Sequence, residues 1–287
     1  MPLAKICPGK AIEFILARGN LPILFWLKND ILNVPVDRER KNLCKYGSRI
    51  RILESQRSDG SWLRRKSGHG IHGEKTDLLI ETLKNLHKLY DYGCSRKEER
   101  VQRSIDFLYS FQMKEGDFRG VHLTEYTPTL HALALEILCQ FGLDEDQRMQ
   151  NGFRWLLTHR QRDGGWAIPY RTLSKRQLKS HWQSTNRKRT RPIKPDKSKP
   201  FSHFVTGVVL RALAESPTWK ESKETRKAGE LLLSRFFKGD KYEDRQPPFF
   251  WEEISYPFWT TNILSSLDAL SKIGFQADNE KIAQALE

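Results

Sequence analysis

Cysteine is scarce in this chain of 287 residues: Cys7, Cys44, Cys94 and Cys139 stand far apart, with no Cys-x-x-Cys pair. Such spacing makes a poor disulfide or metal framework and suits a reducing cytoplasm. Long apolar runs are missing too. The nearest approach, "AIEFILARGNLPILFWL", is broken by Glu13, Arg18, Asn20 and Pro22, so no signal peptide or membrane-spanning helix is readable there. Strand signals are almost absent. Acids are rare in one stretch: from Arg171 to Pro200 there are eleven Lys or Arg and a single acid, Asp196. Ten of the fourteen net positive charges therefore sit in one segment. The charge belongs to an insertion and not to the fold, which argues against a nucleic-acid partner.

What the chain has instead is a repeat. "QRSDGSW" (Gln56–Trp62), "QMKEGDF" (Gln112–Phe118) and "QRDGGW" (Gln161–Trp166) share a glutamine, an acid, a glycine and a closing aromatic. Their glycines, Gly60, Gly116 and Gly164, are 56 and 48 residues apart, within the range of repeat arrays. Before each copy runs an amphipathic helical pattern: residues 41–56 with Leu43, Tyr46, Ile50 and Leu53, residues 96–112 with Val101, Ile105 and Leu108, and residues 144–161 with Met149, Phe153 and Leu156 or Leu157. More apolar helical patterns follow the copies, at 75–93, 127–143 and 202–216, with another at 258–274. A further amphipathic helix, 221–238, precedes "GDKYED", where the motif has decayed.

A helix apolar on most faces needs cover on most sides. Two concentric layers supply it, apolar helices inside and amphipathic ones outside. The expected fold is an all-α α/α toroid, one domain over residues 1–287 around a central cavity. The basic segment 171–200 has three prolines and no helical or strand period. It is expected to be an exposed, flexible excursion between the two helices of the third hairpin.

The repeated motif reads as a structural clamp. The Asp-Gly pair makes a tight turn, the glutamine bonds exposed peptide groups of the next hairpin, and the aromatic packs over it. The clamp residues are Gln56, Asp59, Gly60 and Trp62, then Gln112, Gly116 and Phe118, then Asp163, Gly164 and Trp166. In the third copy Arg160, not Gln161, lies three places before Asp163, so its clamp is expected to be made differently.

These copies resemble the QW motifs of the terpenoid cyclase and protein prenyltransferase superfamily, which shares the α/α toroid. The order of segments, including "YPFWTTNILSSLDALSKIG", resembles small bacterial and archaeal prenyltransferase and squalene-oxidase repeat proteins, from about Gly19 onward. The resemblance implies isoprenoid chemistry, either class II cyclisation or prenyl transfer. Two family signatures are missing: the DxDD aspartate with which class II cyclases protonate an alkene, and the Asp, Cys and His that hold zinc in prenyltransferases.

At the cavity mouth, the first turns of the inner helices are expected to present Asp77, Tyr126, His131, His203, Trp259 and Asn262, with Phe204 and Phe258 adding aromatic surface. Asp77 is the one acid placed as a proton donor would be, and desolvation there would raise its pKa; the alternative is that it complements the helix dipole. "LDED" (Leu143–Asp146) reads as a helix cap through Asp144. His69, His72 and Glu74 form an HxxH-plus-carboxylate loop without a fourth ligand, so neither metal nor cofactor is expected. The expected partners are an isoprenoid or other apolar small molecule and an anionic membrane surface, the latter through the basic segment and Trp182. That places the protein in the cytoplasm, with a peripheral position at the membrane. Two functions stand side by side, an isoprenoid enzyme and a non-catalytic scaffold. A deep apolar pocket with one perturbed acid favours the first, a packed centre the second.

The last stretch, "FQADNEKIAQALE", starts like another outer helix capped by Asp278 or Asn279. The expectation is either a piece of a longer protein or a ring closed by Ala11–Leu32.

Overall fold

The structure, a computed structural model, describes residues 9–63, 74–119, 125–184, 192–242, 247–253 and 256–287, with backbone alone for 180–184. The helices in chain order are α1 (Gly9–Arg18), α2 (Leu21–Trp26), α3 (Asp37–Leu43), α4 (Gly47–Glu54), α5 (Glu74–Asp91), α6 (Glu99–Tyr109), α7 (Pro128–Gln140), α8 (Gln147–Thr158), α9 (Lys175–Ser184), α10 (His203–Glu215), α11 (Lys223–Leu233), α12 (Ile263–Lys272) and α13 (Glu280–Leu286). Among the described residues there is no strand, only one isolated bridge between Gln112 and Phe118. None of the helices is long and apolar enough to cross a membrane.

Burial sorts the helices into two layers. α7 buries ten of its thirteen residues and α10 eleven of thirteen, so both are covered on nearly every side. By contrast, α6 buries one stripe, Val101, Ser104, Ile105 and Leu108. α8 and α11 behave likewise. α10 packs against α7, α11 and α12, and α5 packs against α7 and α6. The inner layer is thus α5, α7, α10 and α12, and the fold is the α/α toroid that the repeat implied. Its main core is held by side chains such as Leu79, Leu83, Leu135, Val208 and Leu213, all fully buried. Each contributes about 1.5–3 kcal/mol relative to exposure. A smaller core of Phe25, Val36 and Leu43 sits under the N-terminal helices.

Several boundaries differ from the sequence reading. The first outer helix is not continuous over 41–56: it breaks at Cys44–Tyr46 and restarts at Gly47. α12 begins at Ile263 and not Phe258, because Asn262 and Ser265 form a reciprocal capping box that fixes its start. α8 is capped by Asp146 and not Asp144. Asp144 is buried and accepts from Ser216 Oγ and, at 2.6 Å, from Thr218 Oγ1, joining the α7–α8 turn to the end of α10.

The basic segment is also not patternless. It holds α9, and residues 192–200 are ordered into the fold, with Ile193 6% exposed. Lys175, Arg176 and Lys179 of α9 are exposed as expected. At the C-terminal end α13 is capped by Asn279 and buries Ile282.

Candidate functional site

The clamp loops decide what faces the inside of the ring. In the first, Gln56 Nε2 donates to the carbonyls of Gly60 at 3.2 Å and Arg100 at 2.7 Å and to Ser104 Oγ at 2.6 Å, tying its own turn to α6. Asp59 accepts from the Ser61 N–H at 3.0 Å and closes the turn. Gly60, with φ +87°, lies against the Arg103 carbonyl, leaving no room for a side chain. Trp62 Nε1 donates back to the Ile52 carbonyl at 2.8 Å. In the second clamp Gln112 reaches the carbonyls of Gly116 and, on α8, Arg148, both at 2.8 Å.

The third clamp takes a different partner. Gln161 donates to the carbonyls of Asp196 at 2.8 Å and Lys199 at 3.0 Å, so residues 192–200 stand where the next outer helix would be gripped. Trp166 Nε1 still donates to the Leu156 carbonyl at 2.8 Å. A fourth clamp exists that the sequence conceals. Asp240 accepts from the Tyr242 N–H at 3.1 Å, and Trp251 Nε1 donates to the Lys238 carbonyl at 2.8 Å. Its acid and tryptophan are eleven residues apart and not three, which hides the motif.

These clamps absorb residues expected at a cavity mouth. The N–H of Trp62 donates to Thr82 Oγ1 at 3.3 Å and that of Trp166 to Thr206 Oγ1 at 3.0 Å. The N–H of Phe118 donates to His131 Nδ1 at 3.0 Å, and the same ring's Nε2 meets the Gly152 carbonyl at 3.0 Å. His131 is the imidazole counterpart of Thr82 and Thr206, not a cavity residue. An acceptor role for Nδ1 puts the proton on Nε2. Burial pushes its pKa down to about 4 against the opposing Gly152 bond, so the ring is neutral.

Tyr126 is likewise taken into the second clamp. Its hydroxyl donates to Glu115 at 2.7 Å, and its ring packs edge-on to Trp155. His203 stacks on Trp251 at 4.6 Å, with Nδ1 3.3 Å from Asp240. Burial there outweighs the nearby carboxylate and pulls His203 down to about 4, so the contact is not an ion pair at neutral pH. Asn262 is the fully buried cap of α12. Asp77 is half-buried in the first turn of α5, with no hydrogen bond or ion pair among the described residues. His69 and His72 lie outside the described residues, and Glu74 opens α5 exposed.

The chain from Tyr256 to Thr261 is bound to the inner helices, with Arg211 of α10 as the anchor. Arg211 pairs bidentately with Glu136 of α7, both bonds 3.0 Å, and also donates to the carbonyls of Phe258 at 2.6 Å and Thr260 at 3.4 Å. Thr261 Oγ1 bonds the Phe204 carbonyl at 2.6 Å. Trp259 reaches across to α5: Lys84 Nζ lies 5.3 Å from its ring centroid and the His87 ring 6.4 Å away. His87 Nε2 is shut off from solvent without a partner, and burial pulls its pKa to about 3. At the far end Asp91, raised to about 6 by desolvation, hydrogen-bonds Tyr256.

Sequence reasoning missed Arg211, Glu136, His87 and Asp91. The first two were legible as single charges inside otherwise apolar helices, "VVLRALA" and "LALEILC". Beside α10 a cavity bordered by Phe204, Val205 and Tyr242 measures about 10 Å³, on the order of one water molecule.

A double ring of helices clamped in this way places the chain in the fold class of the terpenoid cyclase and prenyltransferase-like superfamily. The family model of the squalene-hopene cyclase C-terminal domain matches residues 76–191. Among solved structures, the chain resembles an aspartate-to-alanine variant of the type II terpene cyclase MstE from Scytonema, in complex with its product merosterolic acid A. The TM-score is 0.52 at 14% identity, over 86% of this chain and 63% of that one. This chain therefore matches less than two thirds of that cyclase's length. No curated protein sequence matches it.

Proposed function

We propose that the chain is a terpene-cyclase-like toroid used as a non-catalytic scaffold, which meets an anionic membrane surface through its basic segment 171–200. The observation that carries this reading is that the polar groups of the inner helices are spent on structure: Arg211 pairs with Glu136 and holds the Phe258 and Thr260 carbonyls. Lys175, Arg176 and Lys179 stand exposed on α9, and each cation near an anionic bilayer contributes about 1 kcal/mol of binding. The place that follows is peripheral, at the cytoplasmic face of a membrane.

The test is a flotation assay with vesicles of phosphatidylcholine alone and with 30% phosphatidylserine added, run beside incubation with squalene and with geranylgeranyl diphosphate. Binding to the anionic vesicles alone, lost when the lysines and arginines of 171–200 become serine, is the expected result. Absence of cyclised or transferred product is expected with it. A second reading, an isoprenoid-handling enzyme, is favoured by Asp91, an acid raised to about 6 at the end of the ring's interior, and by the terpenoid product bound to the similar cyclase. Any turnover that Asp91→Asn abolishes would establish it in place of the scaffold.

A further inference from the structure

At the end of the ring opposite the clamps, the N-terminal helices leave a groove of about 380 Å³ against the ends of α5 and α7, the size of a small-molecule site. Its apolar part is a run of aromatic rings. Trp26 lies 5.2 Å from Tyr90, and Tyr90 packs edge-on to Phe141 at 5.6 Å, with Phe25 beneath at 1% exposure. The Trp26 ring is oriented by its own Nε1, which donates to the Asp91 carbonyl at 2.8 Å.

Three cations border the same groove, Arg40, Arg96 and Lys97. None of them forms an ion pair with a described residue. Arg40 stands 5.0 Å from the Phe25 ring centroid, and Arg96 spends one N–H on the Gly142 carbonyl at 2.8 Å, leaving the others of its fork unused. Nearby acids are engaged elsewhere: Glu98 pairs with Arg49 at 2.5 Å, and Asp30 accepts from Asn29 at 2.6 Å. Gln140, which also lines the groove, donates to Glu215 at 3.3 Å, while its Oε1 is shielded from solvent and makes no hydrogen bond.

We infer that this groove binds a small, free anionic ligand, a phosphate or carboxylate carried on a flat aromatic or short apolar body. The fork of an arginine matches such an anion in geometry, and charge-assisted bonds are the strong kind. A flat body can lie against the run of rings made by Trp26, Tyr90 and Phe141, because ring-to-ring contact adds to simple burial. The site lies outside the ring's middle and stands whether or not that middle ever opens.

Isothermal titration of the full chain with 1-naphthyl phosphate, inorganic phosphate and 1-naphthol tests it. The naphthyl phosphate is expected to bind at least tenfold more tightly than either fragment. Arg96→Glu with Lys97→Glu, both exposed positions, is expected to weaken it at least tenfold with the thermal midpoint unchanged. Replacing the cations of 171–200 by serine is expected to leave it unchanged, which separates this site from the membrane contact. Absence of binding up to millimolar ligand, equal affinity for inorganic phosphate, or indifference to the double substitution would overturn the proposal. Displacement by phosphatidylserine vesicles would also overturn it, by making the occupant a lipid headgroup.

Discussion

The backbone N–H of Phe118 donates to Nδ1 of His131 over 3.0 Å, in the place where Trp62 and Trp166 donate to threonine hydroxyls. A histidine thus performs a task that the neighbouring repeats give to Thr82 and Thr206. His131→Leu leaves the Phe118 N–H buried and unpaired, at about 1–3 kcal/mol, and removes the ring's bond to the Gly152 carbonyl inside α8. His131→Thr keeps an acceptor for Phe118 and should lose less. Urea unfolding of the two variants checks the order; equal losses would remove the equivalence.

Acid should weaken the fold over a defined range. His131 and His203 are held down to about 4 and His87 to about 3, against 6.5 in an unfolded chain. The unfolded state therefore takes up protons first, so their contribution is intact above pH 6.5 and declines as pH falls from there through 4. Each imidazole contributes a slope of about 1.4 kcal/mol per pH unit in that range. Asp91 acts with the opposite sign: raised from 3.8 to about 6, it favours the folded state on the acid side of that interval. These histidines outnumber it, and His159, also held down by burial, adds to them; the net loss is measured as a falling thermal midpoint between pH 6.5 and 4. The His131→Thr variant should show a shallower fall.

Trp166→Ala and Trp251→Ala should be equally damaging, about 3–5 kcal/mol each, because both rings are at most 1% exposed and each Nε1 donates to a backbone carbonyl, of Leu156 in α8 and of Lys238 just after α11. Denaturant melts decide this. A Trp251 variant with near-native stability would mean that the fourth clamp is only a geometric likeness.

Much of this was written plainly in the chain. The 3.6-residue periodicity located α6, α7, α8, α10 and α11, since helices that must bury a stripe or a whole surface advertise it in composition. The clamp residues were legible because tight turns accept few residue types. Two kinds of feature escaped. The insertion between Asp240 and Trp251 broke the spacing by which a motif is recognised, although the bonds survive it. Residues 258–262 read as helix because "FWTTNILSSL" is apolar, whereas the Asn262 capping box and the Arg211 contacts hold them as non-helical chain. Tyr126, His131, His203 and Asn262, expected at a cavity mouth, are taken up by clamp loops and a helix cap for a related reason: sequence gives the first turn of a helix, but not whether a neighbouring loop already uses its side chains.

Arg211→Met should destabilise by about 3–5 kcal/mol, since it leaves Glu136 charged and buried at 6% exposure. Adding Glu136→Leu should recover most of that loss. Hydrogen exchange at residues 258–261 should quicken in both variants, because the guanidinium contacts to the Phe258 and Thr260 carbonyls are gone from both. Unchanged exchange would mean that the segment is held by its other contacts.

Glycine substitutions should separate turn strain from close packing. Gly142, at φ +76° with nothing near its absent Cβ, should accept alanine for about 1–2 kcal/mol of backbone strain. Gly116, at φ +103° with the Asn151 carbonyl 2.7 Å from that position, should lose more, because two backbones must part. Paired thermal melts read the difference directly.

The segment from Tyr256 to Thr261 belongs to no helix, yet it is bonded to the inner helix α10. Thr261 fills the room left by Gly207, and the rest is pinned by one arginine and a few peptide groups. This stretch is thus held by a tether and not by a helix's own ladder of bonds. Insertions or deletions in a few non-helical positions can reshape what lies against the inner helices while every helix keeps its neighbours, so that surface can be inherited and altered separately from the architecture.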